Sequence, residues 1–445
     1  MTVPGNLFNL WWAIPFCGIL LSLAIAPLAI PHTWERHHGK IVLLWATALT
    51  IALVMNIPLN DALGVLLYTF FHHYIPFILL LLALFTLSGG IHLKVRFRGT
   101  PIKNTILLGG GTLLASFIGT TGALVLLIRP LLMANQGRVH RQHLVVFLII
   151  LVGNVGGVLS PLGDPPLFMG YLMGVSFFWP LIHLWPLFLC VFLPVLIFFF
   201  LYDFYLLKNE TSAHHPKVRE KLTFETLGKI NFTLLFFLVG GILALSQWKN
   251  SPSFSLGYVH FSLSDLFRDI LMILTTTISL WKTPISVRHL NKFSWSPMRE
   301  VSLVFLSIFI TVIPLMAMLE DQEKGAFGPI VELLQTQNNQ NISLYFWLTG
   351  FFSAFLDNAP TYLVFFKVSG GNPDFLMHSG SQILKAISAG AVFMGALTYI
   401  GNAPNFMAKS IAEEYHVRMP SFFHYILLSS LILFPLFFLI VFFFF

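Results

Sequence analysis

The sequence predicts an all-α polytopic membrane protein built from two inverted repeats. Three observations carry that expectation: an apolar composition, short loops whose charge changes sign, and paired helix breaks at one constant spacing. Of 445 residues, 56% are hydrophobic and 10% charged, against about 25% charged in a soluble protein. A mean hydropathy of +0.81 excludes a chain that must cover itself with water. Apolar runs of about 20 residues, long enough to cross a bilayer, recur from 7–30 to 422–445.

The net charge of +7 is spread over short loops between apolar runs. It reads as a positive-inside bias, with no separate basic domain to bind nucleic acid. Cys17 and Cys190 fall inside apolar runs, and no disulfide framework or zinc spacing is present. Residues 1–10 carry no Lys or Arg, so the first apolar run reads as an uncleaved helix.

Loop charges set the expected topology. Segments 31–40 (Arg36, Lys40), 94–103 (Lys94, Arg96, Arg98, Lys103), 136–143 (Arg138, Arg141), 208–229 and 282–299 are basic and are expected on the cytoplasmic side. Segment 320–341 carries Glu320, Asp321, Glu323 and Glu332 and faces outward, as do both termini. Between two cytoplasmic loops lies 104–134, which a single crossing cannot return to its own side. Its interior, Gly109-Gly110-Gly111 and Gly119-Thr120-Thr121-Gly122, makes a poor continuous helix. A re-entrant hairpin with its tip at 119–122 resolves both facts, since irregular backbone at depth needs protein or a watery cavity around it.

Segment 343–369 repeats the pattern from outside and breaks at Asp357-Asn358-Ala359-Pro360. Each hairpin is followed by an apolar run interrupted in its middle. The first, 144–174, breaks at Ser160-Pro161-Leu162-Gly163-Asp164-Pro165-Pro166, and the second, 383–413, at Thr398-Tyr399-Ile400-Gly401-Asn402-Ala403-Pro404. One gapless shift relates them: 357 − 119, 402 − 164 and 404 − 166 all equal 238. The same shift places Gly157 on Gly395, Gly163 on Gly401 and Met169 on Met407.

The chain therefore reads as a duplication. Residues 1–207 form one repeat (three helices, an inward-opening hairpin, a broken helix, one helix), 208–229 a cytoplasmic linker, and 230–445 the second repeat with its hairpin opening outward. Five crossings per half is odd, so the second half enters upside down, giving about ten spanning helices. Inverted repeats with discontinuous segments are the architecture of secondary transporters, and the breaks point to the binding site. No nucleotide-binding domain is evident, so an ion gradient is the expected driving force, with transport rather than catalysis as the task.

Asp164 and Asp357 are the two acids at the breaks. A charged Asp at the bilayer centre costs about 2.5–3.5 kcal/mol, a cost that persists where the group binds a cation, carries a proton or pairs with a base. The plainer reading is an N-cap, with Pro165 and Pro166 opening the next half-helix. Asn358, Asn402, Ser160, Thr398, Thr120, Thr121 and Thr361 add neutral oxygens and amides, and Gly163 and Gly401 lie among the freed carbonyls. This set suits sodium or protons as coupling ions at Asp164 and Asp357, with no other cofactor. Half-helix N-termini at the breaks could equally hold an anion.

Other polar residues receive plainer expectations. Arg129 and Lys367 lie about 15 Å beyond the hairpin tips and are expected to snorkel to the surface. Asn154 either bonds a neighbouring helix or lines the pathway. His72, His73, His214 and His215 are expected in loops, and His183 and His424 near helix starts, with no zinc pair among them. Gly109-Gly110-Gly111 lacks the context of a phosphate loop and reads as helix crowding.

Ser160-Pro161-Leu162-Gly163-Asp164 and Asp357-Asn358-Ala359-Pro360 resemble motifs of the ion transporter superfamily. That group includes sodium/proton antiporters, citrate transporters, divalent anion/sodium symporters and arsenite permeases. The resemblance covers nearly the whole chain in length, hairpin order and duplication. It implies a homodimer in which a scaffold domain supports a transport domain that moves like an elevator. The first motif is close to the Ser-Pro-x-Gly-Asp of the antiporter branch, but Pro165 and Pro166 stand where that branch has threonines. The tips also depart from the Ser-Asn-Thr of the anion symporters. Two acids without an intramembrane base make sodium/proton antiport the first expectation. Cation-coupled transport of citrate or a dicarboxylate is the second, and a non-transporting scaffold or channel the third. The expected partners are the lipid bilayer (the inner membrane of a bacterial cell), a small cation or carboxylate, and a second copy of the chain.

Overall fold

A computed structural model describes residues 5–96, 99–210, 223–248, 251–256, 259–320 and 341–445. Helix α1 (Ile14–Ala29) meets α2 (Pro31–Asn56) across the single residue Ile30. The loop expected at 31–40 is thus helical, with a proline in the first turn where a missing N–H costs nothing. Helix α3 (Leu59–Gly89) runs on without a loop, five residues (Phe70–Tyr74) winding as a π-helix. His72 and His73 therefore lie inside a candidate span instead of a loop. Rings accommodate them there: His72 stacks on Tyr68 at 4.4 Å and His73 on Phe309 at 6.4 Å between centroids.

Helices α4 (Pro101–Ile118) and α5 (Thr120–Ala134) fold back on each other at Gly119. Their open ends are tied by Gly99 N–H donating to the Ala134 carbonyl at 2.8 Å and by Asn104 and Asn135, which exchange side-chain hydrogen bonds at 3.1 and 3.0 Å. The glycine triplet does not interrupt α4. Gly111 is where α5 comes close, since a Cβ there would lie 2.1 Å from Leu127 Cδ1. Helix α6 (Gln142–Leu151) then unwinds through a 3-10 turn (Val155–Gly157) and an irregular stretch, resuming as α7 (Pro165–Leu172). Helix α8 (Trp179–Asn209) follows.

After the linker come α9 (Ile230–Ser246), α10 (Leu263–Lys282), the short α11 (Ile285–Leu290), α12 (Ser296–Thr311) and α13 (Ile313–Glu320). Helices α14 (Ile342–Leu356) and α15 (Asn358–Val368) form a second hairpin bent at Asp357, with the Phe352 and Phe365 rings 6.1 Å apart across it. A short α16 (Pro373–Met377) leads into α17 (Ser381–Met394), which loosens through a 3-10 turn (Gly395–Leu397) and resumes as α18 (Ala403–Glu414). Helix α19 (Phe422–Phe444) ends the chain.

Among the described residues, four helices are long and apolar enough to cross a membrane: Arg36–Asn56, Leu59–Gly89, Trp179–Asn209 and Phe422–Phe444. Ser296–Thr311 with Ile313–Leu319, bent by 42°, would be a fifth. Six more apolar helices have only 10–17 residues, among them the hairpin arms Thr120–Ala134 and Ile342–Leu356. A 15-residue helix rises about 22 Å, short of a hydrocarbon core of about 30 Å. Such pieces must be completed by a neighbour.

Two ribbons amend the all-α expectation. Strand β1 (His92–Arg96) pairs antiparallel with β2 (Thr223–Leu227), His92 opposite Leu227 and Arg96 opposite Thr223. The end of the 208–229 linker is thereby stitched to the first half; its residues 211–222 lie outside the described residues, with His214 and His215. Strands β3 (Ser253–Leu256) and β4 (Val259–Ser262) form the second ribbon. Nearly all of the acidic segment 320–341 also lies outside the described residues.

The spacing of 238 reappears in the geometry. Gly119 (φ 80°, ψ 147°) and Asp357 (φ 77°, ψ 146°) share one backbone conformation, as do Asp164 (φ −142°, ψ 144°) and Asn402 (φ −153°, ψ 138°). Ser160 Oγ donates to the Ser116 carbonyl and Thr398 Oγ1 to the Ala354 carbonyl, where 354 − 116 = 238. Both hydroxyls then accept an N–H two residues on, from Leu162 and Ile400, each at 3.1 Å. Gly163 and Gly401 press on the carbonyls of Gly157 and Gly395, so a Cβ would lie 2.3 and 2.7 Å from those oxygens.

Candidate functional site

Asp164 stands in extended backbone just before α7 and is 2% exposed. Its carboxylate does not cap its own half-helix. Instead Oδ1 accepts from Thr120 Oγ1 at 3.1 Å and from Asn402 Nδ2 at 3.1 Å, while Oδ2 accepts from Asn358 Nδ2 at 2.5 Å. Thr120 opens α5, Asn358 opens α15 and Asn402 precedes α18, so all four helix breaks meet at one carboxylate. The Thr120 N–H also donates to the Gly163 carbonyl at 2.9 Å, fixing the first hairpin tip against the first broken helix.

A buried carboxylate needs its lone pairs satisfied. Here three neutral donors do so, with no base among them. Asn358 is fully buried, and its Oδ1 has no hydrogen-bond partner among the described residues. A carbonyl oxygen beside a carboxylate, with acceptor capacity unused, is the donor set a hard cation or an added proton would meet.

A ladder of amides lies behind. Asn402 Nδ2 also reaches the Gly153 carbonyl at 3.1 Å and Asn154 Oδ1 at 3.2 Å. Asn154 Nδ2 donates to the Ile149 carbonyl and to Asn405 Oδ1, both at 2.8 Å. Asn405 Nδ2 donates to the carbonyls of Gly395 and Thr398, both at 2.8 Å. Of the two options for Asn154, the structure shows bonding to the neighbouring broken helix. Asn405 escaped the sequence reading because the shift of 238 pairs it with Leu167, so repeat comparison gave no signal. Its amide satisfies carbonyls that the break releases, as buried backbone requires.

Asp357 is half-buried at the second hairpin tip. Its Oδ1 accepts from Ala359 N–H at 3.3 Å, so here the capping reading holds, and its carbonyl accepts from Thr361 Oγ1 at 2.8 Å. A cavity of about 80 Å³ joins it to Asp164, Thr120, Thr121, Gly163 and Asn402, closed by Leu84 of α3 and Phe305 of α12. Asn358 joins this group through Asp164. Ser160, Thr398 and Thr361 spend their hydroxyls on backbone carbonyls, and Gly401 packs on Gly395; these four shape the breaks behind the cavity. Among the described residues no group of three His, Cys, Asp or Glu gathers to hold a metal.

Two basic residues differ from expectation. Arg129, expected to snorkel, is 8% exposed and approaches Tyr415 and Glu414 beyond the second broken helix. Arg138, read only as part of a basic cytoplasmic loop, is buried against Asp203 of α8. Asp203 Oδ1 accepts from Arg138 Nη1 and lies 2.8 Å from His143 Nε2, and Oδ2 accepts from Asn104 Nδ2 at 2.9 Å. The only sequence signal was an acid inside an apolar helix.

Long apolar helices around a carboxylate buried where four helix breaks meet define an integral membrane protein with an interior polar site. A family model described as "Putative citrate transport" matches residues 5–445. The chain belongs to this family of transporters. No curated protein matches it. The match supports the citrate-transporter part of the resemblance drawn from the motifs and adds nothing for its antiporter branch.

Proposed function

We propose that the protein carries citrate or a related carboxylate across the membrane together with a cation, through an inverted-repeat elevator whose cation site is Asp164 with Asp357 beside it. The observation that carries this reading is the buried Asp164 carboxylate, bonded by Thr120, Asn358 and Asn402 from three other breaks. The family match moves the weight from sodium/proton antiport to a carboxylate.

Electrostatics then requires the coupling ion. A polyanion beside two acids is repelled, and among the described residues no Lys or Arg lines the cavity. A sodium ion or proton at Asp164, or entry of the carboxylate as a metal complex, removes that repulsion. The half-helix N-termini at Thr120, Asn358 and Ala403 offer partial positive charge to the anion. The matched geometry at a spacing of 238 supports two repeats, and the opposed loop charges support their inversion, with hairpins re-entrant from opposite sides. About ten crossings, a cytoplasmic 208–229 linker, outward termini and a homodimer complete the reading.

The test is uptake of labelled citrate into proteoliposomes. Accumulation should require a sodium or proton gradient, and Asp164→Asn should reduce it at least 100-fold while the protein stays folded. Sodium-dependent proton flux without citrate uptake would return the reading to antiport.

A further inference from the structure

A second cavity, of about 660 Å³, is walled in part by α6 ahead of the first broken stretch, includes no residue of the four breaks and has no role in the transport reading. Three helices wall it. From α6 come His143, Val146 and Phe147; from α8, Phe198, Tyr202 and Leu206 at a spacing of four; from α19, Leu428, Leu431 and Ile432. Close ring contacts join two of the walls, with His143 to Tyr202 at 5.6 Å and Phe147 to Phe198 at 5.9 Å. Two loops head the groove, one bringing His140 and Arg141, the other His416 and Arg418.

Among the described residues no acid lines it. The described acids nearby pair with other cations: Asp203 with Arg138 and His143, Glu210 with Arg138 at 3.7 Å, Glu413 with Lys409 at 3.9 Å and Glu414 with Lys292 at 3.1 Å. Arg141 and Arg418 thus leave positive charge at one end of an otherwise apolar groove. The apolar end opens between α8 and α19, two of the four helices long enough to cross a membrane. Leu431 and Phe198 are exposed there. A soluble anion would use the basic end and leave the apolar walls without a purpose. A molecule with an anionic head and hydrocarbon tail uses both. Basic pockets between membrane helices are a recurring solution for such headgroups.

We propose that this groove binds an anionic phospholipid, its phosphate between Arg141 and Arg418 and an acyl chain along Phe198, Tyr202, Leu428 and Leu431. Thermal unfolding of the purified full chain in detergent tests this with added phosphatidylglycerol, phosphatidylcholine and inorganic phosphate. Phosphatidylglycerol should raise Tm saturably, and the other two should not at equal concentration. Arg141→Gln with Arg418→Gln should weaken the apparent affinity about thirty-fold, at roughly a tenfold loss or less for each charge. Leu431→Trp, which fills the apolar end without touching either arginine, should weaken it as well and serves if the double variant does not fold. An equal shift with phosphatidylcholine overturns the proposal in favour of an unselective crevice. An equal shift with phosphate overturns it in favour of a soluble-anion site. Retention of the phosphatidylglycerol shift in Leu431→Trp also overturns it.

Discussion

Asp357 occupies a backbone conformation that costs any residue with a Cβ. Its φ of 77° with ψ of 146° is matched in the other half by Gly119, which adopts that geometry without strain. Non-glycine residues in such regions cost about 1–3 kcal/mol and collect at functional sites. Asp357→Gly should therefore leave thermal stability unchanged or raise it by about 1 kcal/mol, after the entropic cost of glycine, while abolishing uptake. Uptake that survives, or a large loss of stability, would reduce Asp357 to a cap. Asp164 makes the opposite prediction. An Asn there turns an NH₂ toward the donors of Asn358 or Asn402, leaving a buried group unpaired at about 1–3 kcal/mol. Asp164→Asn should lower both stability and transport. Both acids stood out in the sequence because a carboxylate inside an apolar run is rare, Asp164 between Gly163 and Pro165 and Asp357 three residues before Pro360. Asn405 and the bonding of Asn154 were not, because their roles exist only once two breaks cross.

The elements explain why those side chains arrive together. Each broken helix folds over itself so tightly that only glycine fits at 163 and 401. Gly163→Ala and Gly401→Ala should both lower Tm, and by similar amounts if the breaks are equivalent; differential scanning of the two variants checks this. At the open end of the first hairpin, Asp203 ties α4, the loop after α5, and α6 to α8. Asp203→Ala strands a buried Arg138 and should cost about 3–5 kcal/mol, whereas Arg138→Met with Asp203→Leu should recover most of it. The basic loop expected at 136–143 is irregular backbone as far as Arg141, before α6 begins. Burial of Arg138 depends on an acid 65 residues away, which no local pattern shows. Boundaries marked by Gly, Pro and Asp were legible because those residues act locally.

On the scale of the molecule, loop charge is the evidence for orientation. With Cys17 and Cys190 replaced, Ser212→Cys should react with an impermeant thiol reagent only from the cytoplasmic side and Phe445→Cys only from outside. Labelling of both from one side contradicts an odd number of crossings in the second half. Composition and breaks made the membrane class and the site legible in the sequence. The ribbon of β1 with β2 was not, since its strands lie more than 120 residues apart, nor was the unbroken helix through His73, whose ring stacks on the distant Phe309.

The carboxylate of Asp164 also works as a rivet. Its three donors come from different segments, two of them in the second half of the chain. Hydrogen bonds to charged groups contribute about 1.5–3 kcal/mol each. A movement that parts the halves like jaws must break two of these at once and strand a buried charge. A movement that carries the riveted block as one piece breaks none, so the joint itself favours displacement of the whole site over its opening.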